Sequence, residues 1–286
     1  WVKNVASIVT LGGGSGRNHI FLAQGGNNTV RDSYMFGSKN GAALSYGVES
    51  NIGGFNLIEN NMFNEVVSPI LPGSAMGDVY AYNYSQDHNR SDNPGWNMPG
   101  PVWAHDAGDM FNLSEGNSGT GTVMDNIHGT VHLNTFFRNH YKGRDLTKTN
   151  NTQVVELSAY ARFMNVIGNV MGEAGYHNTY QTLGPSSTGC NTAIFIMNWQ
   201  GTGCQGPTDA RVASSLLRWG NYDVVNNAVR FVSAEVPSGD AFLPNPVPAS
   251  QTLPNSFYLS AKPTAWWTTP WGTPPWPPIG SDVTGG

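Results

Sequence analysis

Two stretches of the chain, Phe55-Asn-Leu-Ile-Glu-Asn-Asn61 and Phe111-Asn-Leu-Ser-Glu-Gly-Asn117, are nearly the same heptapeptide. Related heptapeptides end at residues 33, 83, 139, 169 and 226, so that successive ends lie 28, 22, 34, 22, 30 and 57 residues apart. The last interval has room for two repeats, and the segment from Thr192 to Trp199 is predicted to supply the missing strand. A minimum repeat spacing of 22 residues, with a variable number of added residues, is typical of a solenoid whose insertions bulge outward as loops.

The repeat predicts an all-β fold, because the repeated segments are short, rich in Gly and β-branched residues, and lack a 3.6-residue apolar stripe. Charged residues make up only 12% of the chain, about half the usual share. Each coil would stack on its neighbour at about 4.8 Å, with apolar side chains inside and Asn ladders at the turns. We predict a single-stranded parallel β-helix over residues 1–260, in coils of about 22 residues or more.

Residues 261–286 are predicted to form an extended Pro/Trp-rich tail within the same domain, because prolines cannot donate to a strand ladder. We expect this tail to cap an end or a side of the solenoid. The alternative is an aromatic platform for sugar rings or for a partner subunit.

The stretch from Gly53 to Gly172 resembles a group of secreted bacterial β-helix proteins within the pectate-lyase-like superfamily. The resemblance rests on His105-Asp106, Phe111 to Asn117, Asp125-Asn-Ile-His128-Gly129, Asn134-Thr-Phe-Phe-Arg-Asn139 and Asn165-Val-Ile-Gly-Asn169, together with the ending from Leu259 to Gly280. It implies a right-handed coil, secretion and a carbohydrate context, but no particular reaction.

Charge and cysteine content restrict the partners and the location. The net charge is −5 and the 14 Lys and Arg residues do not cluster, which argues against a nucleic-acid partner. No apolar run approaches the roughly 20 residues that span a bilayer. Cys190 and Cys204 enclose a short Gly- and Asn-rich segment and are predicted to form a disulfide, which implies a secreted or cell-surface protein. Two free buried thiols are the alternative.

The longest insertion, between the heptapeptides ending at residues 83 and 117, predicts where a substrate groove forms. It contains Trp96, Trp103 and His105, which we assign to substrate binding.

Counting back from the heptapeptide ends gives a stacking register. It places Asp106 and His128 at one position and Glu156 two places further out, so that the two acids would lie about 9.5 Å apart, at two strand spacings. That separation suits an inverting glycoside hydrolase, with Asp106 and Glu156 as acid and base and His128 orienting them. His132 and Arg162 share a second position and are predicted to hold substrate.

Two alternatives stay open for these residues. Stacked polar residues in a β-helix often only satisfy one another. A lyase would instead use a basic residue as its base, and often Ca²⁺, for which Asp106, Asp109 and Asp125 are candidate ligands. The paired-acid cluster of calcium-dependent pectate lyases is not recognisable here.

The sequence thus predicts a secreted protein that cleaves or binds a polysaccharide, as a lyase or an inverting hydrolase. The alternative is a non-catalytic extracellular structural or adhesive protein that assembles into a homo-oligomer or filament, which a low-charge surface would favour.

Overall fold

Short parallel strands make up most of the computed structural model, which describes residues 1–9, 17–38, 45–88, 95–98, 100–183, 190–199, 209–264 and 274–284. In chain order the strands are β1 (Val2–Lys3), β2 (Ala6–Ile8), β3 (Asn18–Ala23), β4 (Thr29–Arg31), β5 (Tyr34–Phe36), β6 (Tyr46–Gly54), β7 (Leu57–Glu59), β8 (Met62–Asn64), β9 (Ser68–Met76), β10 (Val79–Ala81), β11 (Tyr84–Gln86), β12 (Pro101–Asp106), β13 (Leu113–Glu115), β14 (Ser118–Gly119), β15 (Gly121–His128), β16 (Thr135–Phe137), β17 (His140–Tyr141), β18 (Val155–Ser158), β19 (Asn165–Ile167), β20 (Val170–Met171), β21 (Thr179–Leu183), β22 (Ala193–Trp199), β23 (Leu217–Trp219), β24 (Asn221–Asp223) and β25 (Ala228–Arg230). The helical elements within the described ranges are α1 (Ala210–Ser214) and the 3-10 turns Cys190–Thr192 and Ser233–Glu235.

The strands belong to three sheets that are almost entirely parallel. The first sheet runs β1-β4-β7-β10-β13-β16-β19-β23, the second runs β2-β5-β8-β11-β14-β17-β20-β24-β25, and the third runs β3-β6-β9-β12-β15-β18-β22-β21. Up to β20, each successive trio of strands adds one strand to each sheet. The arrangement is solenoid-like and confirms the predicted all-β, parallel architecture at that level.

The third sheet departs from simple stacking at its far end. The predicted strand between Thr192 and Trp199 is present as β22, but it lies between β18 and β21, which precedes it in the chain. Most insertions enter between the second and the third sheet, where the connections after β11, β17 and β20 are long. Loops therefore gather along one edge of the third sheet.

A column of buried polar side chains runs through the turn between the first and the second sheet. In each coil the backbone N–H of one member donates to the Oδ1 atom of the asparagine in the next coil, at 2.8–3.1 Å. The residue before each member has a positive φ, between 54° and 68°, which makes the turn sharp. This asparagine ladder consists of Ser33, Asn61, Asn83, Asn117, Asn139, Asn169 and Asn221.

Six of the seven predicted heptapeptide ends are members of this ladder, but the predicted end at residue 226 is wrong. Asn221, directly after the positive-φ Gly220, takes that place. Asn226 instead caps the carboxylate of Asp223 at 2.9–3.0 Å in the turn before the antiparallel β25. The heptapeptide pattern fails there because β24 turns back on itself rather than continuing into another coil.

The tail packs along the outer face of the first sheet. The ring of Phe257 lies 4.1 Å from that of Phe137, and the Tyr258 hydroxyl donates to Glu59 at 2.8 Å. Arg138, which is almost fully buried, pairs with Asp282 at 2.6 Å. Within the described residues the last strand ends at Arg230, and the boundary at residue 260 stays a prediction.

None of the helices in the described ranges is long and apolar enough to span a membrane.

We expect Asn117→Ala to lower the free energy of unfolding by about 2–4 kcal/mol, because the substitution removes the acceptor of the buried Asn83 N–H and the bond that the Asn117 amide donates to the Tyr80 carbonyl. Asn165→Ala serves as the matched control. That side chain is half-buried and donates one bond, to Thr135, so its loss should cost about 1 kcal/mol or less. Urea unfolding curves of both variants measure the difference. An equal loss of unfolding free energy in both variants would mean that a ladder asparagine contributes no more to stability than an asparagine outside the ladder.

Candidate functional site

The outer face of the third sheet carries a cluster of polar and aromatic side chains on β12 and β15. Side chains alternate along a strand, so Val102, Ala104 and Met124 point into the core. The residues between them, Trp103, His105 and Asp125, therefore point outward. Trp103 and His105 are partly exposed, whereas Asp125 is buried.

The centre of the cluster is a His-Asp pair. His105 Nδ1 lies 2.6 Å from Asp125 Oδ2, and Trp103 Nε1 donates to the same carboxylate oxygen at 2.6 Å. The second oxygen of Asp125 accepts the backbone N–H of Ile127 at 3.1 Å. Because a carboxylate can only accept, His105 must carry its hydrogen on Nδ1, which leaves Nε2 to exchange a proton with a bound molecule.

A bulge in β15 brings Asp106 and His128 beside this pair. The register runs Ala104 opposite Met124 and then Asp106 opposite His128, so β15 carries two more residues than β12 over the same step. The predicted stacking of Asp106 on His128 is observed. The ring of His128, which is exposed, meets that of His105 edge-on, with centroids 4.5 Å apart.

The neighbouring coils complete the surface. Asn51 on β6 donates to Asp106 Oδ2 at 3.4 Å across Gly73. A Cβ atom at Gly73 would lie 2.6 Å from that Asp106 oxygen, so glycine leaves the space that the carboxylate occupies. Arg17, half exposed, lies 3.7 Å from Glu49. Its positive charge acts to lower the pKa of His105.

The charged groups around His105 favour its protonated form. Burial lowers the pKa of His105, but the hydrogen bond and charge of Asp125, together with the charge of Asp106, outweigh burial and raise the pKa above its ordinary value. The raised pKa extends the pH range in which His105 is protonated.

Glu156 does not lie on the stripe predicted for it. It pairs with Val123 on β15, in the row of Trp103, rather than with His128. The predicted register assumed equal strand lengths, which the two extra residues of β15 violate. Glu156 is 3% exposed and accepts a bond from Gln153 at 2.6 Å. Burial raises its pKa well above the ordinary value, and the charge of Asp125 adds to this.

The remaining predicted substrate contacts lie elsewhere. His132 and Arg162 are neighbours in a parallel bridge, as the register predicts, at the corner between the third and the first sheet. Arg162 pairs with Asp209 at 2.7 Å. Burial and the charge of Arg162 lower the pKa of His132. Trp96 bridges to Asn150 where two of the loops before the third sheet pair.

The candidate calcium ligands do not converge. Asp109 is fully buried and accepts the Ala75 N–H at 2.6 Å, and burial raises its pKa well above the ordinary value. Within the described ranges no group of three His, Cys, Asp or Glu residues could hold a metal ion. Asp106 and Asp125 belong to the cluster around His105 instead.

The predicted disulfide is described only at one end. Cys190 is buried and disulfide-bonded, whereas Cys204 lies outside the described residues.

The central pair was not foreseen from the sequence, although its signal is present. Trp103 and His105 are two residues apart and so share a strand face, and Asp125 follows Trp103 by the 22-residue repeat. Arg17, Glu49 and Asn51 lie in earlier coils, where the sequence offers no motif.

No protein-family model, no curated protein and no solved structure matches the chain. The resemblance to the pectate-lyase-like superfamily therefore stays a prediction.

We expect Asp125→Asn to lower the pKa of His105, because the substitution removes the charge that raises it. A pH titration of the imidazole resonances by NMR measures the change. His19, whose ring bonds to Ser7 and to the Gly37 carbonyl, should titrate unchanged and serves as the internal control. An unaltered His105 titration would contradict the pairing.

Proposed function

We propose that the protein is a secreted polysaccharide-active enzyme whose site is the His105 cluster, and that it cleaves an acidic glycan by elimination. The single observation that carries this proposal is the half-buried His105, held by Asp125 at 2.6 Å beside Asp106 and His128. A histidine oriented by a buried carboxylate is a recurrent general base.

The chemistry follows from the positions of these groups. In an elimination, His105 Nε2 would take the proton next to the carboxylate of a uronic acid. The bond from the ring to the glycosidic oxygen then breaks, and that oxygen receives a proton as it leaves. His128 in its protonated form, whose ring touches that of His105, is placed to supply this proton, with Asp106 beside it. The electron pair of the broken C–H bond becomes a ring double bond, and His105 later loses its extra proton to solvent.

Arg17 supports an acidic substrate. It is the cation nearest to the cluster that the described contacts identify, and its guanidinium reaches the same face as Glu49 and Tyr46. A substrate carboxylate would gain negative charge as the proton leaves, and a guanidinium stabilises that charge through paired hydrogen bonds. In this proposal the protein's own cation takes the part that calcium plays in other lyases.

An inverting hydrolase is less well supported. That mechanism needs a second carboxyl group open to a water molecule. Glu156, the predicted partner of Asp106, is closed off by Gln153 and buried at 3% exposure. In the described part of the structure, the site contains a histidine placed to act as a base but lacks a second accessible carboxyl group.

We also propose a more specific fold and a cellular location for the protein. We assign the three-sheet solenoid to a single right-handed parallel β-helix of the pectate-lyase-like kind. Its strand order, one strand per sheet in each coil, supports this assignment. The disulfide at Cys190 supports a location outside the cytoplasm, because disulfides persist in oxidising compartments.

The alternative, a non-catalytic structural protein, predicts a different environment for the outer face of the third sheet. A structural subunit would be expected to fill the outer face of the third sheet with its own tail or with a second copy. The described part of the tail lies on the first sheet instead, against Phe137 and Glu115. The placement of the tail therefore supports the enzyme over the structural protein.

We expect the protein to release unsaturated products, read by ultraviolet absorbance, from one or more acidic polymers in a panel of plant, algal and bacterial polysaccharides. His105→Gln should lower kcat by about a hundredfold or more, the usual contribution of a general base. Arg17→Ala should lower kcat as well as raise KM, because the guanidinium would both bind the substrate carboxylate and stabilise the charge that it gains. Activity should increase with pH through the raised pKa of His105, because only the neutral imidazole accepts a proton.

His19→Gln is the matched control, since its ring is bonded within the first two coils and touches none of the cluster in the described contacts. Absence of products from every acidic polymer, or full activity of His105→Gln, would refute the proposal.

A further inference from the structure

The outer face of the second sheet carries aromatic rings in every other coil. Strand alternation points Met35, Phe63 and Tyr141 into the core, so the residues that precede them in each strand face outward. Across the sheet these outward residues are paired in register. They form what we call the second-sheet row, which reads Tyr34, Met62, Tyr84, Ser118, His140, Val170 and Tyr222.

The spacing of the rings is regular. Tyr34, Tyr84, His140 and Tyr222 are each separated by one non-aromatic residue, so successive rings lie two strand spacings apart, about 9.6 Å. An extended, β-linked glycan presents the same face of its chain once per disaccharide, at a comparable repeat. The residues between the rings leave room for the alternate sugars.

A groove lies beside the row in the first four coils. Its volume is about 460 Å³, within the range of small-ligand sites. Its lining residues include Tyr34, Tyr84, Asp32 and Asn60. The Tyr84 hydroxyl donates to Gln86 at 2.6 Å, which holds that ring in place before any ligand arrives.

The charge of the groove is balanced. Asp32 accepts from Asn60 at 2.7 Å and from Arg31 at 3.0 Å, and Lys3 lies 3.7 Å from the same carboxylate. Arg31 also pairs with Glu59 at 3.2 Å, so the two cations face two carboxylates. A carboxylate neutralised in this way still has lone pairs for sugar hydroxyls, but it gives the groove no net attraction for an ion. The groove therefore suits a neutral ligand with many hydroxyl groups.

We propose that the second-sheet row and its groove bind a neutral, extended glycan chain along the axis of the solenoid. Ring faces would stack on alternate sugars, and Asp32 and Asn60 would bind hydroxyl groups at the first coils. The surface is separate from the His105 cluster, which lies on the third sheet, so this binding does not depend on the proposed cleavage.

Affinity electrophoresis in gels that contain hydroxyethyl cellulose, glucomannan or polygalacturonate tests the proposal. One or both neutral polymers should retard the protein. Tyr34→Ala and Tyr84→Ala should each weaken that binding about tenfold, and the double variant should abolish it. Tyr84→Phe, which keeps the ring, should bind within about threefold of the parent. His105→Gln should leave retardation by the neutral polymers unchanged even where cleavage is lost.

Tyr160→Ala is the matched control, because this exposed tyrosine lies outside the row, near Arg162. Matching urea midpoints would show that each variant is folded. Three results would overturn the proposal: no retardation by either neutral polymer, undiminished retardation of the double variant, or equal losses for Tyr84→Phe and Tyr84→Ala. Concentration-dependent self-association in sedimentation velocity that the double variant loses would assign the row to a second copy of the chain instead.

Discussion

The buried asparagine ladder fixes how one coil sits on the next. Each asparagine accepts the backbone N–H of the coil before it and donates its own amide hydrogens, as Asn83 does to the Ile58 carbonyl and to Asn117. A slip of one residue would leave every member of the column buried and unpaired, at about 1–3 kcal/mol for each group. The first and second sheets consequently keep strict register, with strands of two or three residues and sharp positive-φ turns.

The third sheet is held less strictly, and this freedom is what builds the site. Its strands run up to nine residues, and the connections that lead into it vary in length. The two extra residues of β15 are accommodated there as a bulge, which sets Asp106 opposite His128 while Asp125 reaches Trp103 and His105. Bulges commonly re-aim side chains beside functional sites. A rigid ladder on one side of the coil thus supports an adaptable face on the other.

Sequence reasoning succeeded where a single physical rule applies. The ladder repeats nearly one residue type at one turn, so the heptapeptide ends located six of its members. The prediction failed only for Asn221, where the chain reverses into β25. The pairing of Asp106 with His128 followed from the same count.

The site itself was harder, because its contacts depend on insertions that no repeat encodes. Glu156 was misplaced by the bulge. The approach of Arg17 depends on a coil that precedes the others in the cluster.

The described part of the tail lies on the first sheet rather than on the outward rows of the second and third sheets. On the first sheet it satisfies two buried acids: Ser256 and the Phe257 N–H donate to Glu115, and the Tyr258 hydroxyl donates to Glu59. Burial raises the pKa of Glu115, so without these donors an acid on that face would be costly to keep.

The second and third sheets keep their outward rows free of the described tail. Both rows run along the stacking axis, so an extended chain on either face would cross several coils. If both proposals hold, a neutral glycan held on the second sheet would keep the protein close to polymers in the same matrix. It would raise the local concentration of an acidic chain at His105 without any contact between the two sites.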